Sequence, residues 1–389
     1  MRSVSLGLAI GLVAVMGSAC GEEATPPPVA PVATVTPPPV AEAPKKEEPK
    51  PAPTLAELER KTAEGVSAAI NAHDAKKVGS FYADNAVLKM AGMPEVTGRE
   101  AIIADWQKRF DSFANSKSNA SRVFVKGDVV VTEWVWTATH SGEAMGIKAS
   151  DKPVGAMGAD VVWFAPDGLI KEQHIYIDMG TLMSQMGASK HKARAIPAVP
   201  TGAPAMVMST GGAEETKNVE GAQKMFGAFE KKSEADFLSA STDEMTWEDL
   251  TQPEAMKGKA AAKKFFTAMT KAFPDLKTTS ANTWGIGDFV IGEGAMSGTQ
   301  KAALFGIPAS KKSMTVHGLD VIQFGKDGKI VKGTSYGNSY EMMSQLGHIP
   351  GPKADAKAAP AKTDAKPAPA KTDAKPAPAK TDAKPAPKK

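Results

Sequence analysis

Cysteine is almost absent from this sequence, which has one thiol, Cys20, in 389 residues. A disulfide framework needs an even set of cysteines and a structural zinc or iron–sulfur site needs several, so neither kind of site is expected. Aromatic residues make up only 6% of the chain and charged residues 23%, which excludes a protein with many membrane spans. The sequence also lacks a phosphate-binding loop, a dinucleotide fingerprint and a Gly-x-Ser-x-Gly elbow, and we expect neither a cofactor nor a metal.

A strong basic charge is missing from most of the chain. The net charge is +4, but residues 351–389 alone hold ten lysines and four aspartates. The remainder is therefore close to −2, which argues against a nucleic-acid-binding function. The segment 349–389 repeats Ala-Lys-Thr-Asp-Ala-Lys-Pro-Ala-Pro from residue 361, and the repeats have no apolar residue larger than alanine or proline, so we predict a disordered tail. Its charge would attract anionic envelope polymers.

The first 19 residues have the pattern of a signal peptide. Arg2 precedes a short apolar run over 4–16, and three small residues follow at 17–19. Because Cys20 comes next, the pattern resembles a bacterial lipoprotein signal, although Gly17 stands where that motif prefers leucine. The resemblance implies that Cys20 is lipidated and that Gly21 directs the protein to the outer membrane. The alternative is an ordinary secretion signal followed by a chance cysteine.

Proline is concentrated in the segment that follows. Residues 24–53 contain eleven prolines, a composition typical of an extended polyproline II spacer. We therefore interpret 20–53 as a lipid-anchored tether. A second segment rich in proline and glycine, 188–212, is interpreted as a linker between domains.

An internal duplication is the strongest structural signal. Residues 96–187 align with 256–347 at a constant offset of 160, and 26 of 92 positions are identical. A helix pattern precedes each half, so the sequence predicts two copies of one domain, at 54–187 and 213–348.

Each copy shows helical patterns first and strand patterns afterwards. In the first copy the helices are predicted at 55–72 and 99–113, and the strands at 122–126, 129–139, 158–164 and 169–177. No helix separates the late strands, which excludes a parallel doubly wound sheet. The predicted fold class is α+β: two tandem domains, each with N-terminal helices on one face of a curved antiparallel sheet.

Several short motifs carry a family resemblance. The first copy has Thr-His-Ser-Gly at 139–142, Gly-Ile-Lys-Ala-Ser at 146–150 and Gln-Met-Gly at 185–187, and the second has Gly-Ile-Pro-Ala-Ser at 306–310 and Gln-Leu-Gly at 345–347. These motifs resemble the SnoaL-like polyketide cyclases (ester cyclases) of the nuclear-transport-factor-2-like superfamily. The resemblance implies a cone around an apolar pocket and pairing through the sheet, which allows a pseudo-dimer of the two domains. The fold hosts cyclases, isomerases, dehydratases and binding modules alike.

The resemblance also suggests a catalytic carboxylate at Asp178. A carboxylate in an apolar cone has a raised pKa and can exchange protons near neutrality. The alternative is that Asp178 caps the last helix of the domain. The second copy has Asn338 at this position, and asparagine can cap a helix or contact a ligand but cannot take a proton.

Two histidines are further catalytic candidates. His140 stands where the family pattern has histidine, although Ala138 replaces the preceding glycine. His174 and Tyr176 alternate with Asp178 along one strand, so the three side chains can converge on one face as a proton relay. A polar rim around a pocket is the alternative.

The candidate ligand-binding residues are Trp136, Tyr176, Asn338, the matched pair Glu133 and Glu293, and His317. The two glutamates could instead occupy solvated sheet positions, and His317 could be an ordinary core or surface residue.

Three functions are consistent with these features. The first is an exported lipoprotein that binds a small apolar or amphipathic ligand without turnover. The second is a proton-transfer enzyme, such as a cyclase, isomerase or dehydratase, acting on a carbonyl compound through the first domain. The third is a non-catalytic interaction protein of the envelope.

Overall fold

The computed structural model describes residues 54–189 and 192–350 of the chain. The signal peptide, Cys20, the proline-rich tether and the basic tail lie outside the described residues, so the predictions made for them stay predictions.

The first domain begins at a capping box in which the Thr54 hydroxyl accepts from Glu57 N and the Glu57 carboxylate accepts from Thr54 N. Its helices are α1 (Leu55–Asn71), α2 (Ala75–Gly79), α3 (Arg99–Ser112) and α4 (Met179–Met186). Its strands are β1 (Tyr82–Met90), β2 (Val96–Thr97), β3 (Phe113–Lys126), β4 (Val129–His140), β5 (Pro153–Phe164) and β6 (Ile170–Ile177).

A short strand, β7 (Ala205–Met208), lies between the domains, and the second domain then repeats the same order. Its helices are α5 (Ala213–Lys231), α6 (Glu234–Ser239), α7 (Gly258–Ala272) and α8 (Ser339–Gln345). Its strands are β8 (Ser241–Asp249), β9 (Met256–Lys257), β10 (Lys277–Ile286), β11 (Phe289–Thr299), β12 (Ser313–Phe324) and β13 (Ile330–Tyr336).

Each domain is a curved sheet with helices on one side. The first sheet has the order β2-β1-β6-β5-β4-β3-β7, and the second has the order β10-β11-β12-β13-β8-β9. The predicted α+β class and the two tandem domains are confirmed. The sheets are mixed rather than antiparallel, because β1 and β8, which the sequence patterns did not indicate, pair parallel to β6 and β13. A segment containing α3 in the first domain and α7 in the second separates these strands from the later ones, and this long connection permits parallel pairing.

The two faces of each sheet have different partners. The inner face packs on the domain's own helices, as where Phe164 and Ile175 share a cluster with Ile102 of α3. The outer face packs on the outer face of the other sheet, and a cluster of buried residues from both domains fills the space between them: Phe124, Val131, Ala159, Val161, Ile286, Ile291, Leu319 and Val321. Both faces of each sheet are therefore buried.

Candidate functional site

An aspartate stands at the same point on the inner face of each sheet. Asp160 lies on β5 and Asp320 on β12, the strand at the same place in the second sheet. The side chains next to Asp160 along the strand, Ala159 and Val161, belong to the interdomain cluster on the outer face. Because side chains alternate along a strand, Asp160 and Asp320 face the interior of their own cones.

In the first cone, Asp160 ends a chain of hydrogen bonds. The Tyr82 hydroxyl donates to Gln173 Oε1, and Gln173 Nε2 donates to Asp160 Oδ2 over 3.0 Å. Burial raises the pKa of Asp160 to about 7, although Trp134 and Gln173 favour its charged form. A carboxyl group with this pKa can both accept and release a proton near neutrality.

The same cone holds buried polar atoms with no hydrogen-bonding partner among the described residues. These are Asp160 Oδ1 and the indole nitrogens of Trp106 and Trp134. Trp106 lies beside Tyr82 and Trp134 beside Asp160, since each indole lowers the pKa of its neighbour. The free oxygen of Asp160 and the Trp134 indole therefore lie close to one another, and the Trp106 indole lies beside the hydrogen-bonded chain.

In the second cone the aspartate has different neighbours. The Trp247 indole donates to Ser335 Oγ over 2.8 Å, and Ser335 Oγ donates to Asp320. The strand register places Ser335 directly beside both Asp320 on β12 and Asp249 on β8. Burial raises the pKa of Asp320 to about 7, with a further contribution from the nearby charge of Asp249. A cavity of about 70 Å³ adjoins this row and is lined by Trp247, Asp249, Gln252, Glu254, Met256, Phe265 and Ser335.

In each cone a tryptophan ring packs over a glycine of the sheet, but the two tryptophans lie on different strands. The Trp134 ring on β4 lies over Gly158, where an added Cβ would stand 2.3 Å from the ring. The matching residues of the second domain are both glycine, Gly294 and Gly318. There the ring of Trp247 on β8 lies over Gly333, again 2.3 Å from an added Cβ. The interiors therefore differ in shape although the backbones repeat.

Asp178 lies at the start of α4 and acts as its N-cap. Its oxygens accept from Gly180 N and from both the backbone and the hydroxyl of Thr181, over 2.6–3.2 Å. Asp178 Oδ1 also accepts from Ser339 N and Ser339 Oγ of the second domain, over 2.8 and 2.6 Å. Both oxygens are occupied by donors, so the geometry favours the capping interpretation over the catalytic one.

Asn338 makes the reciprocal contact. Its Oδ1 caps α8 through Tyr340 N and accepts from Met179 N of the first domain, while its Nδ2 donates to Ala91 O. Asp178 and Asn338 thus cap their own helices and bind the other domain. The contacts described for Asn338 are a helix cap and contacts between domains, and its predicted ligand contact stays a prediction.

The predicted residues Glu133, Glu293, His174 and Tyr176 lie on the outer faces, between the domains. Tyr176 Oη donates to Glu293 Oε1 over 2.6 Å, and His174 Nδ1 bonds the same oxygen. Asp178 lies beyond the end of β6 at Ile177, so the predicted relay of three side chains on one strand face is not formed. His174 and Tyr176 do share a face of β6, as strand alternation predicted. This shared face is the outer face of β6, which points to the other domain. Gln173 and Ile175 occupy the inner face.

Trp136 and His140 lie on the inner face of the first cone. Trp136 packs edge-on against Phe113 and donates to Ser116 Oγ over 2.5 Å. His140 is fully buried at the end of β4, where Nδ1 bonds Ser150 Oγ and Nε2 has no partner in the described chain. Burial lowers the pKa of His140, so the neutral imidazole is favoured.

His317 lies on β12 and contacts α8. Its Nδ1 bonds Glu341 Oε1 over 2.8 Å and its backbone N donates to Glu341 Oε2. The side chain is half-exposed, and this ion pair holds α8 against the sheet.

Within residues 54–189 and 192–350, no group of three or more histidine, cysteine, aspartate or glutamate side chains is arranged to bind a metal ion. Over the same ranges, no helix combines the length and the apolar character needed to cross a bilayer.

Comparison with known proteins identifies the family. The model of the SnoaL-like polyketide cyclases matches residues 60–186 and again 221–346, well over half of the chain. The chain belongs to the SnoaL-like polyketide cyclase family. No curated protein matches the sequence.

Three similar solved structures each cover about a third of this SnoaL-like chain. A protein from Jannaschia sp. CCS1, assigned as a SnoaL-like polyketide cyclase, is 20% identical, covers 36% of this chain and 97% of its own, and has a TM-score of 0.33. IdmH from Streptomyces antibioticus, assigned as a polyketide cyclase, is 26% identical, covers 33% and 98%, and has a TM-score of 0.30. TsrD from Streptomyces laurentii is 21% identical, covers 34% and 96%, and has a TM-score of 0.32.

The sequence analysis did not select Asp160 and Asp320 as site residues. The signal was available, because Asp-Val occurs at 160–161 and at 320–321 in the alignment of the two halves. The strand predicted at 158–164 also covers the part of β5 on which Asp160 lies. What the sequence could not give is the neighbours, Gln173 and Ser335, which pair with these strands only after folding.

Proposed function

We propose that the first cone binds a small carbonyl compound and that Asp160 transfers a proton to or from a carbon next to its carbonyl group. One observation carries the proposal: Gln173 holds one oxygen of Asp160, the other has no well-aligned hydrogen-bond partner among the described residues although the Trp134 indole lies beside it, and the pKa of Asp160 is about 7. The unpartnered oxygen can take a proton from a bound carbon acid, and an indole N–H can donate to the carbonyl oxygen, on which negative charge develops. Cyclisation, isomerisation and dehydration all use this step.

The test is the substitution Asp160→Asn in a screen of carbonyl compounds. An amide keeps the size of the side chain but cannot act as a base, so turnover should fall by roughly 10²–10⁴. Ligand affinity should change by only a few-fold. Turnover by the variant at an undiminished rate would rule out Asp160 as the base.

The matched control is Asp178→Asn. Its carboxylate caps a helix and binds Ser339, so this variant should lose about 1–3 kcal/mol of stability through weakened charge-assisted hydrogen bonds. Turnover per folded molecule should stay close to that of the wild type. A large loss of turnover in this control alone would return the catalytic role to Asp178.

Binding without turnover is the second candidate function, and the cavity beside Asp249 and Ser335 favours it for the second cone. A cavity of this volume accommodates a few waters or a small polar group. The screen can locate the site of any compound that stabilises the protein. If the stabilisation persists in Asp160→Asn but is lost in Ser335→Val, the compound binds in the second cone.

We further propose that the protein is anchored at the outer membrane through a lipid on Cys20. Support comes from the sequence alone, in the signal-like residues before Cys20. The variant Cys20→Ser should move the protein from the membrane fraction to the soluble fraction. Retention of the variant in the membrane fraction would refute the anchor.

The basic tail supports a third role in contact with anionic envelope polymers, which would make this an interaction protein of the envelope. Ten lysines against four aspartates in 351–389 attract polyanions, and salt weakens this attraction. Deletion of 351–389 should abolish salt-sensitive binding to lipopolysaccharide. Equal binding by the full and shortened chains would leave the tail without this role.

A further inference from the structure

Two buried glutamates lie at matching places between the domains. Glu133 on β4 and Glu293 on β11 are only 6% and 3% exposed. Each accepts a hydrogen bond from a tyrosine of the other domain: Tyr336 Oη donates to Glu133 and Tyr176 Oη to Glu293, both over 2.6 Å. The contacts repeat because the glutamates and the tyrosines are identical in the two copies.

The charges of the two glutamates are balanced in different ways. Glu133 forms an ion pair of 3.2 Å with Arg122 on the neighbouring strand β3. The position matching Arg122 is Asn282, whose amide donates to Glu293 Oε2 over 2.7 Å but carries no charge. Arginine stays protonated at any physiological pH, so one half of the interface has a permanent cation and the other half lacks it.

His174 occupies the place of that missing cation. Its Nδ1 bonds Glu293 Oε1, whereas the matching residue of the second domain, Thr334, has no charge. The imidazole is 16% exposed and packs against the Trp163 ring at 4.6 Å between centroids. We call His174, Tyr176, Asn282 and Glu293 the titratable half of the interface, and Arg122, Glu133 and Tyr336 the permanent half.

Among the charged groups around His174 and Glu293, His174 is the cation closest to Glu293. His174 Nε2 contacts Glu172 Oε1 over 2.8 Å, and Glu172 is itself paired with Lys89 over 2.5 Å. Two further pairs interact through charge and not through a hydrogen bond. Glu341 acts on Tyr176 in this way, and Glu293 acts on His317. Two carboxylates and one lysine therefore surround the imidazole.

We propose that His174 forms a pH-dependent contact that holds the two domains together, which we call the clasp. When protonated, it binds Glu293 of the other domain as a cation. When it loses the proton, Glu293 is left buried at the interface with only neutral hydrogen-bond donors. The permanent half keeps the domains together, so loss of the proton loosens one side of the interface.

The direction of the pH effect follows from the contacts. Burial by itself would lower the pKa of His174, but the hydrogen bond and charge of Glu293, and then Glu172, raise it above its ordinary value. A histidine whose pKa is raised by folding stabilises the protein fully below about pH 6.5, the value in an unfolded chain. This stabilisation is lost as the pH rises through the folded-state pKa.

The first test follows the histidine directly, by NMR titration of the full chain labelled with ¹⁵N-histidine. We expect the pKa of His174 to lie above 6.5 in the wild type and to fall after Glu293→Gln. The matched variant Glu133→Gln, in the permanent half, should leave it within a few tenths of a unit. The proposal is overturned if His174 titrates at or below 6.5, or if both variants shift it equally.

The second test copies the permanent half into the titratable one with His174→Thr and Asn282→Arg together. The midpoint of thermal unfolding should fall by a few degrees from pH 6 to pH 8.5 in the wild type, and less in the double variant. Asp160, Asp320 and Glu59 also lose protons in this range, as does His317, whose pKa Glu341 raises. These groups are present in both proteins, so the difference between the two curves reports on the site of His174. Parallel curves would refute the clasp.

Discussion

At the residue scale, matching positions in the two copies have acquired different chemistry. Glu59 of α1 and Glu215 of α5 occupy the same place in their domains, and both are buried. Glu215 accepts from Ser209, Thr210 and Gly287 and lies 3.7 Å from Lys126, contacts that lower its pKa to about 2 despite its burial. Glu59 Oε1 has no hydrogen-bond partner in the part of the chain that the structure describes, and burial raises the pKa of Glu59 to about 7.

This difference predicts opposite effects of the same substitution. Glu59→Gln should stabilise the protein at pH 8 by about 1 kcal/mol, because a buried carboxylate that resists ionisation is removed. Glu215→Gln should cost about 1–3 kcal/mol, since donors to the carboxylate lose their acceptor. The measurement is urea unfolding at pH 4 and pH 8. The effect of Glu59→Gln should vanish at pH 4, below the pKa of a glutamate in the unfolded chain, and an effect of similar size at both pH values would contradict this explanation.

Trp134 and Trp247, which lie on different strands of their domains, give a second prediction at the residue scale. Gly158→Ala would press a methyl group against Trp134 and should cost about 1–3 kcal/mol by overpacking. Gly318→Ala is the matched control, because at this position the nearest atom to an added Cβ is Tyr336 O at 3.5 Å. Equal destabilisation by the two substitutions in thermal unfolding would show that the tryptophan ring is not the cause.

At the element scale, helices α4 and α8 each begin with a cap that also binds the other domain. Removing the Asp178 side chain with Asp178→Ala takes away the cap of α4 and the acceptor of Ser339 N. Asp74, the cap of α2, bonds only Lys77 N of its own helix and provides the control Asp74→Ala.

We expect Asp178→Ala to cost more than the roughly 1 kcal/mol typical of a lost cap, and Asp74→Ala to stay near that value. Chemical denaturation measures both free energies. A cost for Asp178→Ala no larger than that for Asp74→Ala would mean that the contact with Ser339 adds no stability.

Helix and strand patterns predicted most of the elements but not the partners of their outer faces. The runs at 129–139 and 158–164 lie within β4 and β5, and the helix predicted at 99–113 matches α3. Strand β1 lacked a clear alternating pattern, since Asp84 and Asn85 interrupt it. Strand alternation shows that Glu133 and Ala138 face opposite sides, but it cannot show that the side of Glu133 meets a second sheet.

At the scale of the whole molecule, the two sheets share one buried cluster. Leu319 and Ile291 of the second domain are fully buried against residues such as Val161 of the first. The stability of each domain therefore depends on the other.

Leu319→Ala should cost about 2–5 kcal/mol through loss of apolar contact and the cavity left behind. We also expect calorimetry to resolve separate unfolding transitions for the two domains in this variant. Thr315→Ala on the same strand, where the side chain is exposed, should change neither the midpoint nor the number of transitions. A single unshifted transition in Leu319→Ala would contradict a shared cluster.

Strand β7 determines where the chain can be cut into two folded parts. Residues 205–208 pair in parallel with Arg122–Val125 of β3, so they complete the edge of the first sheet although they directly precede the first helix of the second domain. Cleavage before residue 205 would strip the first domain of a strand and expose the backbone groups of β3 that this strand covers. The natural border for a protease or a separately expressed half is thus the short turn at 209–212, and the duplicated unit in sequence is not the unit that folds.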